Sequence, residues 1–150
     1  MTLIKSISGI RGTIGGKVND GLTPIDAVKF AAAYGSWLIQ QSTNKKVKVV
    51  IGRDARISGP MISDLVVSTL IGLGIDVINL GLSTTPTVEI AVPLENANGG
   101  IILTASHNPK QWNALKLLNN KGEFISGKDG EEVLHIAENE LFDFCEVDNI

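Results

Sequence analysis

Several residue types and patterns are scarce in this chain, and each scarcity excludes a class of protein. Its 150 residues include one cysteine, Cys145, which excludes an internal disulfide, and the two histidines argue against a Cys/His zinc site. No apolar run approaches the length that spans a bilayer, so we expect no membrane partner. Residues 1–5 lack the apolar stretch of a signal peptide, and we therefore expect a cytoplasmic protein.

Long basic runs and nucleotide-binding motifs are also absent from the sequence. The longest basic run is Lys45-Lys46-Val47-Lys48 and aromatic residues make up only 5% of the chain, so we expect no nucleic-acid partner. The Walker pattern Gly-x-x-x-x-Gly-Lys-Ser/Thr does not occur. Gly72-Leu73-Gly74 precedes a predicted strand instead of following one, so it is not a dinucleotide-binding fingerprint.

The charged residues are distributed unevenly along the chain. The formal net charge is −3, but seven of the 16 acidic residues lie within residues 131–150, which contain no Lys or Arg. Residues 1–130 therefore carry 13 basic against 9 acidic residues, a formal charge of +4. A mildly basic body suits an anionic small molecule. With 43% apolar residues, the chain is sufficient for one globular domain.

Short, β-branched segments alternate with longer helical patterns. Strands are predicted over residues 4–10, 47–51, 75–80 and 100–104, and a strand or hairpin pair over 113–118 and 122–125. Helices are predicted from Thr23-Pro24 to Ile39, from Ser58 to Gly74, from Thr85 to Leu94 with Pro93 shortening it, and from Gly127 or Lys128 to about Leu141. This alternation predicts an α/β fold with a mainly parallel, helix-covered sheet.

Polar clusters follow three of these predicted strands. Residues 52–56 (Gly-Arg-Asp-Ala-Arg) follow the strand over 47–51, residues 83–85 follow the strand over 75–80, and Ser106-His107-Asn108 follow the strand over 100–104. Ligands of open α/β sheets bind outside the carboxyl ends of the strands. If the three strands are parallel, the clusters therefore lie together at one edge of the sheet.

Ser106 is the candidate nucleophile of the third cluster. It follows an apolar run, and Asn108-Pro109 after it favours an extended residue and then a turn. The hydrolase pattern Gly-x-Ser-x-Gly is absent. Ser106 either caps the turn or carries a phosphoryl group, and a phosphoryl group requires amide donors, cations or a metal around it.

His107 and Lys116 have two interpretations each. His107 adjoins Ser106, so its side chain diverges and is a poor base for that serine; it either contacts a transferring phosphoryl group or sugar hydroxyl, or bonds to the turn backbone. Lys116 lies within an apolar strand. It either faces water at a sheet edge or points inward, where a partly buried amine can act as a general base.

Three arginines near the predicted strand ends complete the candidates. Arg11 is bracketed by Gly9 and Gly12, a pattern that either aims the guanidinium at an anion or forms an ordinary turn. Arg53 and Arg56 flank Asp54, which favours a structural Arg–Asp pair beneath the loop.

Together these segments resemble the N-terminal domain of the α-D-phosphohexomutases, the family of phosphoglucomutase, phosphomannomutase and phosphoglucosamine mutase. The matching segments are Ser8-Gly9-Ile10-Arg11-Gly12, Gly52-Arg53-Asp54-Ala55-Arg56-Ile57-Ser58-Gly59, and Thr104-Ala105-Ser106-His107-Asn108-Pro109 with Asn113 and Lys116, in the family's order. The resemblance implies that residues 1–150 are the first of four domains. It also implies a mixed, mainly parallel sheet covered by helices on both faces, in three α/β/α layers.

The resemblance further implies a reaction. A phosphorylated Ser106 would give its phosphoryl group to a hexose phosphate and take another back from a bisphosphate intermediate, interconverting hexose 1-phosphate and 6-phosphate. Lys116, His107 and Arg11 would be catalytic with Ser106, and Asn108 would join Ser106, His107 and Lys116 in binding substrate. Mg²⁺ would be the cofactor, with a phosphoryl oxygen on Ser106 as one ligand. Glucose, mannose and glucosamine phosphates all remain open as substrates.

Two departures from the family pattern bear on these expectations. Ala114 stands where the family often has glycine, which is acceptable only if its φ is negative. The metal-binding Asp-Gly-Asp-Gly-Asp segment of the family's second domain does not occur in this sequence. We therefore expect one domain of a longer enzyme, inactive alone, whose partners are the remaining domains. We also expect Phe142 and Phe144 to begin the link to the next domain and to pack there.

Two other functional classes remain alternatives. The chain could be a non-catalytic module that binds sugar phosphates with the same fold. It could also be an unrelated α/β domain in which a serine nucleophile hydrolyses esters.

Overall fold

The computed structural model describes residues 1–6, 9–43 and 46–150. Ile7 and Ser8, which belong to the predicted opening strand, and Lys45 of the basic run lie outside the described residues. The strands are β1 (Ile4–Ser6), β2 (Gly9–Thr13), β3 (Lys48–Arg53), β4 (Asp76–Leu82), β5 (Gly99–Leu103) and β6 (Trp112–Leu118). The helices are α1 (Pro24–Gln41), α2 (Gly59–Gly72), α3 (Thr85–Leu94) and α4 (Gly127–Glu138), followed by a 3-10 turn at Val147–Asn149.

The six strands form one mixed sheet in the order β1-β2-β6-β5-β3-β4. β3 pairs in parallel with both β4 and β5, whereas β5 with β6, β6 with β2 and β2 with β1 are antiparallel. β2, β3, β4 and β5 therefore run in one direction. The expected mixed sheet is confirmed. Two of its antiparallel pairs arise because β6 is inserted between β2 and β5, and the third joins β1 to β2.

Helices cover the two faces of the sheet unequally. Val49 and Ile51 of β3 belong to the larger apolar core, which also contains buried residues of α1, α2 and α4. Val50, between them, belongs to a second core formed with α3. Alternate strand residues point to opposite faces, so the three-layer α/β/α arrangement is confirmed. α3 is the only described helix on its face.

Local capping determines where the helices begin. Thr23 caps α1: its side chain accepts a hydrogen bond from the backbone N–H of Asp26, and the Asp26 carboxylate accepts one from the N–H of Thr23. Pro24 in the first turn has no N–H to leave unsatisfied, so the predicted start is confirmed. Ser126 and Asp129 form the same reciprocal pair at the start of α4.

The predicted bounds of α3, Thr85 to Leu94, are confirmed, with Pro93 in the last turn of the helix. Two other predicted boundaries are wrong. α4 ends at Glu138 instead of near Leu141, and Glu140 beyond it has a φ of 50°, which a continuing right-handed helix cannot adopt. The second part of the predicted pair at 113–125 is reduced to one bridge between Leu118 and Phe124.

The acidic tail contacts this domain, which contradicts the expected packing for Phe142, whereas Phe144 is 52% exposed and its packing in a following domain stays a prediction. Phe142 contacts the larger core, and the Phe144 ring lies against Gly72 of α2. The two rings meet edge to face with centroids 6.0 Å apart, and the N–H of Cys145 donates to the carbonyl of Gly72. In the described part of the chain, no helix is long and apolar enough to cross a membrane.

Candidate active site

The predicted site residues lie together in one cleft. Ser106 follows β5 at the same edge of the sheet where β3 ends, since β3 and β5 are parallel. The cleft has a volume of about 210 Å³. Its lining includes the predicted residues Arg11, Ser106, His107, Asn108 and Lys116. The structure therefore brings together residues from β2, β6 and the loop after β5, although their catalytic roles stay predictions.

Ser106 adopts a conformation that is unusual for a residue with a side chain. Its φ is 52°, in the left-handed region, which costs roughly 1–2 kcal/mol relative to ordinary backbone. Its N–H donates to the Thr104 Oγ1 at 3.2 Å. The residue is exposed, and its side chain points into the cleft. The serine oxygen is therefore accessible, and the backbone that presents it is strained.

Lys116 points into the cleft from the interior of the sheet. β6 lies between β5 and β2, so the alternative in which Lys116 faces water at a sheet edge is wrong. Lys116 is opposite Ile102 of β5, and paired residues share a face, so its side chain lies on the face that carries α3. Its Nζ donates to the Ser106 Oγ at 3.3 Å.

The described lining of the cleft is basic. Arg11 of β2 lies opposite Ala114 of β6, which puts its guanidinium on the same face as the Lys116 amine. Arg11 and His107 are exposed, and none of the described residues forms a hydrogen bond or ion pair with either side chain. The described lining residues include no carboxylate. This combination favours an anion.

The backbone of Ala114 has the negative φ that an alanine at this position requires. It is not among the residues with a positive φ, and it lies buried in β6. The preceding side chain, Asn113, is buried too: its Oδ1 accepts from the N–H of Ala114 at 2.8 Å, and its Nδ2 donates to the Ser58 Oγ at 2.9 Å. Alanine therefore replaces glycine here without backbone strain.

Arg56 makes more contacts than the sequence predicts. The predicted Arg–Asp pair is confirmed, since the Arg56 Nε lies 3.1 Å from the Asp54 Oδ2. In addition, the guanidinium donates to four carbonyl oxygens: those of Ser106, Asn108 and Pro109 in the loop after β5, and that of Trp112 at the start of β6. The only signal in the sequence was the position of Arg56 after β3, at the same predicted edge as Ser106.

The cluster at residues 83–85 lies at the same edge but does not line the cleft. β4 is the outermost strand, separated from β5 by β3. The N–H of Ser83 donates to the carbonyl of Arg53, and the Thr84 Oγ1 accepts from the N–H of Thr87 at the start of α3. The shared edge is thus confirmed, but this cluster serves to begin α3.

A complete metal site is not formed by the described residues. Within these ranges, no group of three or more His, Cys, Asp or Glu side chains converges to hold a metal ion. Asp54, close to the serine loop, already accepts hydrogen bonds at both carboxylate oxygens: Oδ1 from the N–H of Arg56, and Oδ2 from the Arg56 Nε and the Thr104 hydroxyl. Its oxygens are therefore engaged within the protein.

The chain is similar in sequence to one family model and to curated proteins of that family. Residues 3–143 match the family described as phosphoglucomutase/phosphomannomutase, alpha/beta/alpha domain I. The chain is 42% identical over 113 residues to a phosphoglucomutase/phosphomannomutase of Thermococcus kodakarensis, covering 74% of this chain and 25% of that protein. It is 37% identical over 132 residues to a phosphoglucosamine mutase of Ligilactobacillus salivarius, covering 88% of this chain and 28% of that protein.

Solved structures with similar folds include proteins of the same family. A phosphoglucomutase/phosphomannomutase family protein from Burkholderia thailandensis superposes with a TM-score of 0.79 at 26% identity, over 94% of this chain and 31% of the other. A putative phosphomannomutase from Thermus thermophilus gives 0.78 at 27% identity, over 91% and 30%. The chain thus spans about a quarter to a third of the length of these relatives. It belongs to the phosphoglucomutase/phosphomannomutase family and contains that family's alpha/beta/alpha domain I.

Proposed function

We propose that this chain is the phosphoryl-carrying domain of a phosphohexomutase, which interconverts hexose 1-phosphate and 6-phosphate through a bisphosphate intermediate. Ser106 is the carrier. The observation that supports this most directly is its exposed Oγ, 3.3 Å from the Lys116 Nζ, in a cleft whose described lining has basic groups and no carboxylate. Its relatives include proteins named phosphoglucomutase/phosphomannomutase and phosphoglucosamine mutase.

In the first half of the proposed reaction, a hydroxyl oxygen of the sugar phosphate attacks the phosphorus carried by Ser106. The new O–P bond forms as the P–Oγ bond breaks, and the electron pair of the broken bond stays on Oγ. The Lys116 ammonium gives a proton to Oγ, and the His107 imidazole accepts the proton of the attacking hydroxyl. The product of this half-reaction is the sugar bisphosphate, with Ser106 left as a free hydroxyl.

In the second half, the bisphosphate presents its other phosphate to Ser106. The Oγ attacks that phosphorus while the neutral Lys116 amine removes the hydroxyl proton. The bond from phosphorus to the sugar oxygen breaks, and His107 returns its proton to that oxygen. Over both halves the protein regains its phosphate and both protons, so one phosphoryl group has changed position and nothing else is consumed.

The other residues of the cleft bind charge and substrate. The Arg11 guanidinium is placed to stabilise the negative charge of the phosphoryl group. His107, Asn108 and Lys116 form the part of the substrate site contributed by this chain. Asn108 also stabilises the loop, since its N–H donates to the carbonyl of Ala105 at 3.0 Å.

The proposal includes Mg²⁺, with an oxygen of the phosphate on Ser106 as one ligand. Bound there, the ion would neutralise part of the charge of the transferring group. The described residues supply no carboxylate cluster for it, so its other ligands would come from further domains of the complete enzyme. We propose that those domains are required for turnover and that they select among glucose, mannose and glucosamine phosphates.

The test begins with the phosphate on Ser106. Protein purified from cells is expected to carry a mass increment of one phosphoryl group, which is lost in Ser106→Ala and kept in the control Ser68→Ala, an exposed serine of α2. In the complete enzyme, Ser106→Ala is expected to abolish mutase turnover without unfolding the protein. Normal turnover in this variant would refute the assignment of Ser106.

The same variant separates the other two functional classes. A non-catalytic binding module would bind hexose phosphates equally well with and without the serine, and would carry no phosphate. A serine hydrolase would be labelled at Ser106 by acyl or phosphonate probes, which a phosphoryl carrier is not expected to be.

A further inference from the structure

The guanidinium of Arg56 is surrounded by backbone carbonyls of one loop and of the strand that follows it. We call residues 104–111, between β5 and β6, the serine loop. The Arg56 Nη2 lies 2.8 Å from the carbonyl oxygen of Ser106 and 2.9 Å from that of Asn108. Its Nη1 lies 2.8 Å and 3.0 Å from those of Pro109 and Trp112. One side chain, itself 12% exposed, thus donates three hydrogen bonds to the serine loop and a fourth to the first residue of β6.

Asp54 and Thr104 close this network on the other side of Ser106. The Asp54 Oδ2 accepts from the Arg56 Nε at 3.1 Å and from the Thr104 hydroxyl at 2.7 Å. The same Thr104 oxygen accepts from the N–H of Ser106 at 3.2 Å. The C=O of Ser106 therefore bonds directly to Arg56, and its N–H is connected to Asp54 through the Thr104 hydroxyl.

This network matters because Ser106 and Lys116 are held by different parts of the molecule. Lys116 is on a central strand paired on both sides, whereas Ser106 is on the serine loop with a left-handed φ of 52°. A left-handed serine returns to an ordinary φ unless its surroundings oppose the change. The position of Oγ relative to Nζ therefore depends on what holds the loop.

We propose that Arg56 is a positioning residue that holds the serine loop in the shape that presents Oγ to Lys116. This inference rests on the proposed function of Ser106. Arg56 does not line the cleft, so it acts through the loop and not on the substrate. Its counterpart in the sequence pattern, Arg53, donates one hydrogen bond to the carbonyl of Asp54 and none to the serine loop.

The geometry requires a guanidinium and not merely a positive charge. Arginine has five N–H donors on three nitrogens in one plane, and here all three nitrogens are used. A lysine has one nitrogen and cannot reach Asp54 and four carbonyls at once. Arg56→Lys is therefore expected to lose the positioning function while keeping the charge.

The kinetic test uses the complete enzyme with Arg56→Ala, Arg56→Lys and the matched control Arg53→Ala. Both Arg56 variants are expected to lower kcat about 10²-fold with little change in KM, because a small displacement of a reacting group has an effect of that size. Arg53→Ala is expected to stay close to the wild-type rate. Added guanidinium ion is expected to restore part of the activity to Arg56→Ala but not to Arg56→Lys.

A second measurement on the 150-residue chain needs no enzymatic activity. Hydrogen exchange of the serine loop is expected to accelerate in Arg56→Ala, Arg56→Lys and Thr104→Val, and to stay unchanged in Arg53→Ala. Thr104→Val removes the hydrogen bonds of the Thr104 hydroxyl to Asp54 and to the Ser106 N–H, so it measures that part of the network separately. Arg56→Lys keeps the charge and keeps the test decisive if Arg56→Ala does not fold.

The outcomes separate this inference from the proposed function. If the complete wild-type enzyme shows no mutase turnover but loop exchange accelerates as expected, the proposed function fails and the structural basis of positioning stands. If the wild type is active and Arg56→Lys keeps both its kcat and its loop exchange, the positioning role of Arg56 is refuted.

Discussion

The left-handed backbone of Ser106 leads to a prediction about stability. Replacing Ser106 by Ala and by Gly removes the same hydroxyl and the same hydrogen bond from Lys116. The two variants then differ in one respect, since glycine adopts a φ of 52° without steric cost and alanine does not. Because neither variant can be phosphorylated at this position, the phosphate does not complicate the comparison.

The difference between the two variants follows from two opposing contributions. The left-handed region costs a residue with a Cβ roughly 1–2 kcal/mol. Against this, glycine increases the conformational entropy of the unfolded chain, which disfavours folding by about 0.4–1 kcal/mol. We therefore expect Ser106→Gly to have a free energy of unfolding about 0.5–1 kcal/mol higher than Ser106→Ala. For a chain of this size, that corresponds to a Tm higher by about 1–4 °C.

The measurement is thermal and urea unfolding of the 150-residue chain, followed by circular dichroism. Ala55→Gly is the control, because Ala55 is exposed in a loop close by and does not have a positive φ. There glycine brings only the entropy cost, so the sign reverses and the variant is expected to be less stable than the wild type by up to about 1 kcal/mol. If Ser106→Gly is no more stable than Ser106→Ala, the strained conformation of Ser106 is refuted.

Four further outcomes are expected. Lys116→Ala in the complete enzyme lowers kcat about 10²–10⁴-fold, and an unchanged rate would exclude a role in proton transfer. Gly9→Ala lowers the free energy of unfolding by more than about 2 kcal/mol, because its Cβ would lie 2.1 Å from a carbonyl oxygen of β6. The control Gly15→Ala lowers it less, since no atom outside the neighbouring residues lies within 4 Å of the added Cβ. Equal effects of the two substitutions would argue against the close approach of β2 and β6. Tyr34→Phe lowers the free energy of unfolding by about 1–2 kcal/mol, since the buried hydroxyl donates to carbonyls of β5 and β6. Burial raises the pKa of Tyr34, so the unfolded chain releases this proton first and wild-type stability falls as pH rises above about 10; a fall of the same size in the Phe variant would contradict this assignment.

The elements that sequence reasoning placed well are those specified by neighbouring residues. Thr23, Pro24 and Asp26 contain all the groups that begin α1, so the start of this helix needs no distant contact. β5 and the centre of β3, Val49 to Ile51, are short apolar runs next to polar residues, and the structure has both strands within a few residues of the prediction.

The elements that were misplaced depend on contacts that are distant in sequence. Phe142 lies in an exposed-looking acidic segment, yet it packs against the core of the same domain. No periodicity marks such a tail, because its position is decided by the surface that the rest of the fold leaves uncovered. The end of α4 is likewise set by the left-handed turn at Glu140 that leads into this tail.

For the candidate site, too, some features can be predicted from the sequence and others depend on the tertiary structure. From the residues alone, Ser106, His107 and Asn108 form one polar cluster after β5. The resemblance to the phosphohexomutases added Lys116 and Arg11 to the same site. The sequence could not supply their distances. The 3.3 Å between Lys116 and Ser106 depends on the register of β5 against β6 and on the shape of the serine loop.

The sequence alone therefore determined the kinds of element, their order and the chemical groups available, because these depend on local patterns of polarity and on residue type. Only the tertiary structure decided that β6 lies between β2 and β5, and that the guanidinium of Arg56 reaches four carbonyls beyond residue 105. Every residue type has a backbone carbonyl, so a hydrogen bond to a carbonyl does not restrict which residue supplies it. The sequence of the serine loop therefore does not indicate which side chain donates hydrogen bonds to its carbonyls.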